Sequence, residues 1–261
     1  MKPHDPFPRA GVILLVASAA LLLLTAAQRK EARLTQIMRD VNLVAPHLAA
    51  RPAHLNENVV DGSAVHTGDE SRAELRFPDL TITRVGANTV FSFEEGGRNV
   101  DVENGAILLR VPKDSGGARI RSSALTVGIT GTTVMFEHHR RTYTKLIVLE
   151  GSSDAWLTKH PGNRIRLRGG QMLVVKAGAT SLPEPVAIDL NRLLRTATLI
   201  TEFSPLPSLG LIRNVANDPK NSGGPLINPL IDSTGMNARD VNRSTRPQST
   251  PFKAPGRNRA P

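Results

Sequence analysis

Glu137-His138-His139-Arg140-Arg141 is the one place in this 261-residue chain where histidines cluster. Imidazole beside a carboxylate is the pairing from which metal sites and acid–base centres are built. The cluster continues an alternating run through Val134 and Phe136, which reads as a strand. On a strand, neighbouring side chains point to opposite faces, so His138 and His139 cannot both ligate one ion without a bend. The spacing predicts an exposed polar hairpin between Val134 and Thr144, in which both histidines are dispensable. Asp101, Glu103 and Asn104 lack the alternating Asp positions and the late bidentate Glu of a calcium loop, and they read as a hairpin. The run Gly128-Ile129-Thr130-Gly131-Thr132-Thr133 has no Lys after it and opens no helix, so it is not a phosphate loop. No Gly-x-Ser-x-Gly elbow occurs. Trp156, flanked by Ala155 and Leu157, reads as core or half-buried sheet surface before it reads as a stacking platform. No residue is therefore assigned to catalysis, to a cofactor or to a metal, and the expectation is a non-catalytic binding protein.

The elements around these residues are strands. Ala73, Leu75 and Phe77 alternate with Arg72, Glu74 and Arg76; Leu125, Val127 and Ile129 alternate with Thr126 and Gly128; Ile165 and Leu167 alternate with Arg164, Arg166 and Arg168. Each run has one apolar face, as a half-buried strand requires. Between the runs lie Asp61-Gly62, Gly86 to Asn88, Gly96-Gly97, Asn104-Gly105, Ser115 to Gly117, Pro161 to Asn163 and Gly169-Gly170, which carry the residues tight turns favour. With no helix between strands to make parallel crossovers, the fold expected is all-β, an antiparallel β-sandwich of jelly-roll type over residues 32–177. A polar-Gly-small turn recurs near Gly62, Gly105 and Gly151, but its flanks do not recur, so a solenoid is rejected.

Two features lie outside that block at the N-terminal side. Residues 1–9 are short and basic, and Ala10 to Ala27 run 18 residues without a charge, enough at ~1.5 Å per residue to span about 27 Å. Residues 10–28 therefore form a transmembrane anchor or a signal segment. Thr25-Ala26-Ala27 offers small residues for cleavage, while Arg29, Lys30 and Arg33 just downstream oppose export. Lys and Arg counts on the two sides do not set orientation.

At the other side, residues 186–199 hold an amphipathic helix, with Leu190, Leu193, Leu194 and Ala197 on one face and Asp189 in the capping position. Residues 205–261, rich in Pro and Arg with few large apolar side chains, are expected to remain a disordered basic tail.

Charge placement narrows the partners. The chain carries 33 Lys and Arg against 23 Asp and Glu, yet residues 34–212 hold 20 basic and 18 acidic residues. The excess therefore sits at the ends. With one Trp, one Tyr and seven Phe there is no stock of stacking platforms for bases, and nucleic acid is excluded as a partner. Zero cysteines exclude disulfides and thiol chemistry.

Read in order, Thr67-Gly68-Asp69-Glu70-Ser71-Arg72-Ala73-Glu74-Leu75, Val85-Gly86-Ala87-Asn88-Thr89, Asn104-Gly105-Ala106-Ile107, Ile129-Thr130-Gly131-Thr132, Val148-Leu149-Glu150-Gly151 and Leu167 to Gln171 resemble the bacterial FecR domain family. The resemblance runs from about Leu34 to Val175. It implies a β-rich envelope domain on the outer side of the bacterial inner membrane. In the iron-citrate regulators of the family, such a domain receives a signal from an outer-membrane receptor and passes it to a cytoplasmic anti-sigma segment. Here about ten residues precede the apolar run where those regulators carry a folded sigma-binding region, and that role is not carried over. The resulting expectation is a protein held in the membrane through Ala10 to Ala27, which binds a ligand or envelope protein as sensor or scaffold. The alternative is a structural, wall-associated protein whose basic tail contacts anionic envelope polymers.

Overall fold

The computed structural model describes residues 31–218. Its strands are β1 (Glu31–Met38), β2 (Val41–Val44), β3 (Arg51–Pro52), β4 (Asn58–Val60), β5 (Ala64–Thr67), β6 (Arg72–Arg76), β7 (Ile82–Val85), β8 (Val90–Glu94) and β9 (Asn99–Val111). They continue as β10 (Ala118–Arg121), β11 (Leu125–Ile129), β12 (Thr132–His139), β13 (Tyr143–Glu150), β14 (Ser152–Leu157), β15 (His160–Arg168), β16 (Gln171–Lys176) and β17 (Val186–Ala187). Three helices follow: α1 (Leu190–Thr196), α2 (Thr198–Thr201) and α3 (Leu209–Ala216).

Two sheets result. The first runs β4-β1-β6-β7-β9-β12-β13-β16-β17 and the second β3-β2-β5-β8-β9-β10-β11-β14-β15. Every pairing is antiparallel except β9 with β10. The chain makes a hairpin in one sheet and then crosses to the other: β6–β7 and β12–β13 lie in the first sheet, β10–β11 and β14–β15 in the second.

β9 belongs to both sheets. Val100 and Val102 pair with β8 in the second sheet, while Ile107 and Leu109 pair with β7 and β12 in the first. The change of sheet falls at Gly105, whose φ of 95° is closed to most residues; a Cβ there would lie 2.2 Å from Thr89 Oγ1. Asp101, Glu103 and Asn104, expected in a hairpin, are thus inside one 13-residue strand that bends, and Asn104-Gly105 is a corner and not a turn. Gly62 and Gly151, the other two recurring glycines, also take positive φ where the chain changes sheets. Pro161 to Asn163 likewise lies within β15, next to a bulge opposite Leu157, and the turn before it is Thr158-Lys159.

Alternation decides what each face meets. Leu34, Leu75, Ile107, Phe136, Leu146 and Leu173 of the first sheet pack against Val65, Phe91, Val100, Val127 and Leu167 of the second in one apolar core. The opposite face of the first sheet carries Ile82, Leu108, Met135, Ile147, Leu149 and Met172, and the three helices lie over it through Leu190, Leu193, Leu199, Phe203, Leu206 and Ile212. The described residues therefore form three layers, and among them only the second sheet keeps a face in water.

The C-terminal part departs from expectation. Val186 and Ala187 extend the first sheet instead of opening a helix. Leu209–Ala216, placed in the disordered tail, is α3, with Ile212 and Ala216 buried. Composition undercounted it because its short apolar stripe is stable only against the face that sheet one leaves uncovered. Arg84 anchors this layer: it is 1% exposed, ion-paired to Glu74 at 2.9 Å, donates to the carbonyls of Leu199 and Ser204, and stacks 4.8 Å from the Phe203 ring. The run Ala10 to Ala27 and residues 219–261 of the proposed tail lie outside the described residues. Among the described residues no helix is long and apolar enough to cross a membrane.

Candidate ligand-binding face

The water-facing side of the second sheet presents the odd or even residues that the core does not take: Asp101 on β9, Arg119 and Arg121 on β10, Gly128 on β11, Asp154 and Trp156 on β14, Arg164 and Arg166 on β15. Register puts Gly128 beside Asp154 and Thr126 beside Trp156. Because Gly128 has no side chain, the Trp156 ring lies over its backbone, with ring carbons 3.6 Å from where a Cβ would stand. Arg164 covers the ring's other side at 4.5 Å from the centroid. The indole is thus a half-buried platform that fixes a guanidinium, a cation–π contact of the usual type.

Around this stack lies an open groove of about 690 Å³, lined by Arg98, Arg119, Arg164 and Arg166 with Glu95, Asp154 and Thr130. Arg166 is held by Asp154 in a bidentate pair of 2.8 and 3.0 Å, and Arg121 by Asp101 at 2.7 and 3.2 Å. Hydrogen bonding from Arg166 holds the Asp154 carboxyl below its ordinary range, and Asp101 raises the Arg121 guanidinium. Arg98, Arg119 and Arg164 make no ion pair among the described residues. The groove is therefore positive, with forked donors free to meet carboxylate or phosphate oxygens. Sequence reading found the arginines of β15 and Trp156 separately; no signal in the sequence placed Arg98 and Arg119 beside them.

The histidine cluster is elsewhere, and the structure corrects its reading. β12 runs through His139, the turn is Arg140 to Thr142, and Glu137 and His138 are 0% and 1% exposed. The two rings point to opposite faces of the strand. His138 turns inward, its Nε2 3.0 Å from Ser123 Oγ and its Nδ1 2.7 Å from Thr144 Oγ1. His139 turns outward, its Nε2 2.7 Å from Glu137 Oε1. Glu137 also accepts from Tyr143 Oη at 2.6 Å, and Lys145 Nζ lies 2.5 Å from its Oε2. Burial alone would raise the Glu137 carboxyl, but these three partners bring it below its ordinary value. Glu137 is buried because Lys145 and Tyr143 of the adjacent strand meet its charge.

Ser123 and His138 have the contact of a nucleophile and its base, at the rim of a cleft of about 300 Å³. Behind the imidazole, however, stands a threonine hydroxyl and not a carboxylate. Nothing there would stabilise an imidazolium, and burial together with His139 and Arg140 lowers the ring to about 4. The pair ties the β10–β11 turn to the sandwich. Among the described residues no group of three or more His, Asp or Glu side chains gathers around a common point.

Residues 63–152 match the family model described as FecR protein. These residues are similar to FecR domains. The match starts at the corner before β5 and ends at the start of β14, so β1 to β4, β15 to β17 and the helices lie outside it. Two solved structures of a candidate anti-sigma factor from Parabacteroides distasonis are similar to the chain at 17% identity, with TM-scores of 0.42 and 0.41. Each alignment covers 48% of this chain and 59% of the other, so the chain spans little more than half of those proteins. No curated protein matches the chain. Of the groove residues, Arg98, Arg119 and Thr130 lie inside the matched segment, while Arg164 and Arg166 lie beyond it.

Proposed function

We propose that this protein is a membrane-tethered, non-catalytic component of the bacterial cell envelope, whose FecR domain lies on the extracytoplasmic side and binds an anionic ligand or the acidic surface of a protein partner as a sensor. The observation that carries this reading is the asymmetry of the sandwich. One outer face is covered by helices, and the other is left in water with Arg98, Arg119 and Arg164 outside any ion pair of the described residues. A face of that kind supplies specificity and fast encounter with an oppositely charged partner. The FecR match supports a regulatory role, and the uncharged run Ala10 to Ala27 supports the tether.

The test is photo-crosslinking in cells from positions beside Arg119 and Arg164, compared with the charge-reversed pair Arg119→Glu and Arg164→Glu. Both side chains are exposed, so reversal, the lost stacking of Arg164 on Trp156 included, is expected to lower stability by no more than about 1 kcal/mol. The expected result is a discrete crosslinked partner that disappears in the reversed variant; an unchanged crosslinking pattern overturns this face as the binding surface.

A further inference from the structure

The described residues expose five large apolar side chains: Leu48, Leu55, Val60, Leu80 and Leu211. Three of them gather at one end of the sandwich. Register shows which end this is. Glu31, the first residue of β1, faces Val60 at the end of β4; Arg33 faces Arg76 at the end of β6, after which the chain turns through Leu80. Val44, at the end of β2, faces Ala64, and the turn that follows carries Leu48, its neighbour Pro46 lying against Gly62. β1 thus enters the sheet between the strand that ends in Val60 and the strand that leads to Leu80.

The tips are prominent. Leu48 and Leu80 are 67% and 63% exposed, and Val60 is 40% exposed. At the opposite end the turns hold Asp69, Glu70, Arg140, Arg141 and Lys159, and among the described residues Leu55, in the turn after Ala53 bonds to Val41, is the single exposed large apolar side chain on that side. Apolar residues at loop tips, grouped at one end and rimmed by Arg33, Arg76 and Lys113, have the composition of a surface that enters a headgroup layer.

The chain itself names the occupant. Only Gln28, Arg29 and Lys30 separate the uncharged run from Glu31. Four Cα-to-Cα steps reach at most about 14 Å when fully extended. If the run spans the bilayer, the end of the domain that holds Glu31 cannot stand farther than that from the interface, and Leu48, Val60 and Leu80 surround the point of entry. We infer that the FecR domain rests end-on upon the bilayer, with Leu48, Val60 and Leu80 inserted among the lipid headgroups. Glu95 and Asp114 at the same end offset part of the basic charge, so apolar insertion carries the contact and anionic lipid only strengthens it. In this orientation the arginine groove stands perpendicular to the membrane, with Arg98 at its lower end.

This inference rests on the tether reading, and its test separates the two. The chain has no cysteine, so single-cysteine variants of the full-length protein can each carry one environment-sensitive fluorophore. The variants are Leu48→Cys, Leu80→Cys, Arg141→Cys at the far end, and Ala19→Cys within the uncharged run. They are reconstituted in vesicles of phosphatidylcholine and phosphatidylglycerol with and without nitroxide-labelled lipid. The expected result is that labels at positions 48 and 80 shift to the blue and lose more than half their intensity to nitroxide lipid, while the label at 141 does neither. Quenching at 19 with water-like labels at 48 and 80 overturns the end-on contact and leaves the tether standing. Water-like labels at all three positions overturn both. Blue-shifted labels at 48 and 80 that nitroxide lipid does not quench mean that protein, a second copy or a partner, covers the tips, and also overturn it.

Discussion

Glu137 and Lys145 are both fully buried, and a buried ion pair is held more by the consequence of breaking it than by its own net stability. Removing only Lys145 would leave the carboxylate without its buried ammonium. Lys145→Met is therefore expected to lower unfolding free energy by about 3 kcal/mol, and the double change Lys145→Met with Glu137→Leu by clearly less. Urea unfolding of the three proteins measures it, and equal losses in single and double variants would show that the charges are not coupled. His138 gives a pH signature. Its ring titrates near 4 in the folded protein against an ordinary 6.5, so the unfolded chain binds the proton more readily. The stabilisation from keeping this ring neutral is complete above about 6.5 and is lost as pH falls toward 4, with an upper bound of about 3 kcal/mol. Denaturation midpoints at pH 7 and pH 5 should differ more for the wild type than for His138→Asn. An identical difference in the two proteins would remove His138 from the account.

β9 is the element on which the two sheets depend. Its single bend places Val100 and Val102 in one sheet and Ile107 and Leu109 in the other, and Gly105 permits it. Gly105→Ala must accommodate both a positive φ and a Cβ 2.6 Å from the Thr89 Cα, and about 3 kcal/mol of destabilisation is expected. Gly162→Ala, with nothing within 4 Å of the new carbon, is expected to change stability by less than about 0.5 kcal/mol. Thermal unfolding of the pair provides its own control. In the helical layer, Ile212 is fully buried against sheet one. Ile212→Ala should cost about 2–4 kcal/mol if α3 unfolds with the sandwich. Loss of helix signal well below the main transition would instead show a separately melting layer.

For the whole molecule, the division of labour between faces follows from where charge is neutralised. On the helix-covered side Arg84 finds Glu74 and two carbonyls, so its charge serves packing. On the open side Arg98 and Arg119 form no ion pair among the described residues, and Arg164, stacked on Trp156, helps lower the Asp154 carboxyl without pairing with it. Weak binding of a polyanion such as heparin to the full-length protein in detergent is expected to fall steeply between low and physiological salt, since screened exposed charges carry it. The Arg119→Glu, Arg164→Glu variant should lose most of it. Retention by that variant would place the binding in the basic termini, which hold most of the excess charge.

Period-two alternation is local, and it was enough to make the chain β and to say which residues of β6, β11 and β15 face inward, because a strand that buries the wrong face loses its whole apolar set. The ordered glycine motifs were enough for the FecR resemblance. Turn chemistry is less decisive: Asn104-Gly105 and Pro161-Gly162 have the composition of turns but sit inside β9 and β15, since a corner between sheets and a bulge use the same residues as a hairpin. The partnership of Glu137 with Lys145, the burial of His138 against Ser123, the docking of α3, and the meeting of Arg98 and Arg119 with Arg164 all join residues far apart in the chain or on neighbouring strands. None has a sequence period, so only tertiary packing could decide whether those charges lie in water, in a groove or in the core.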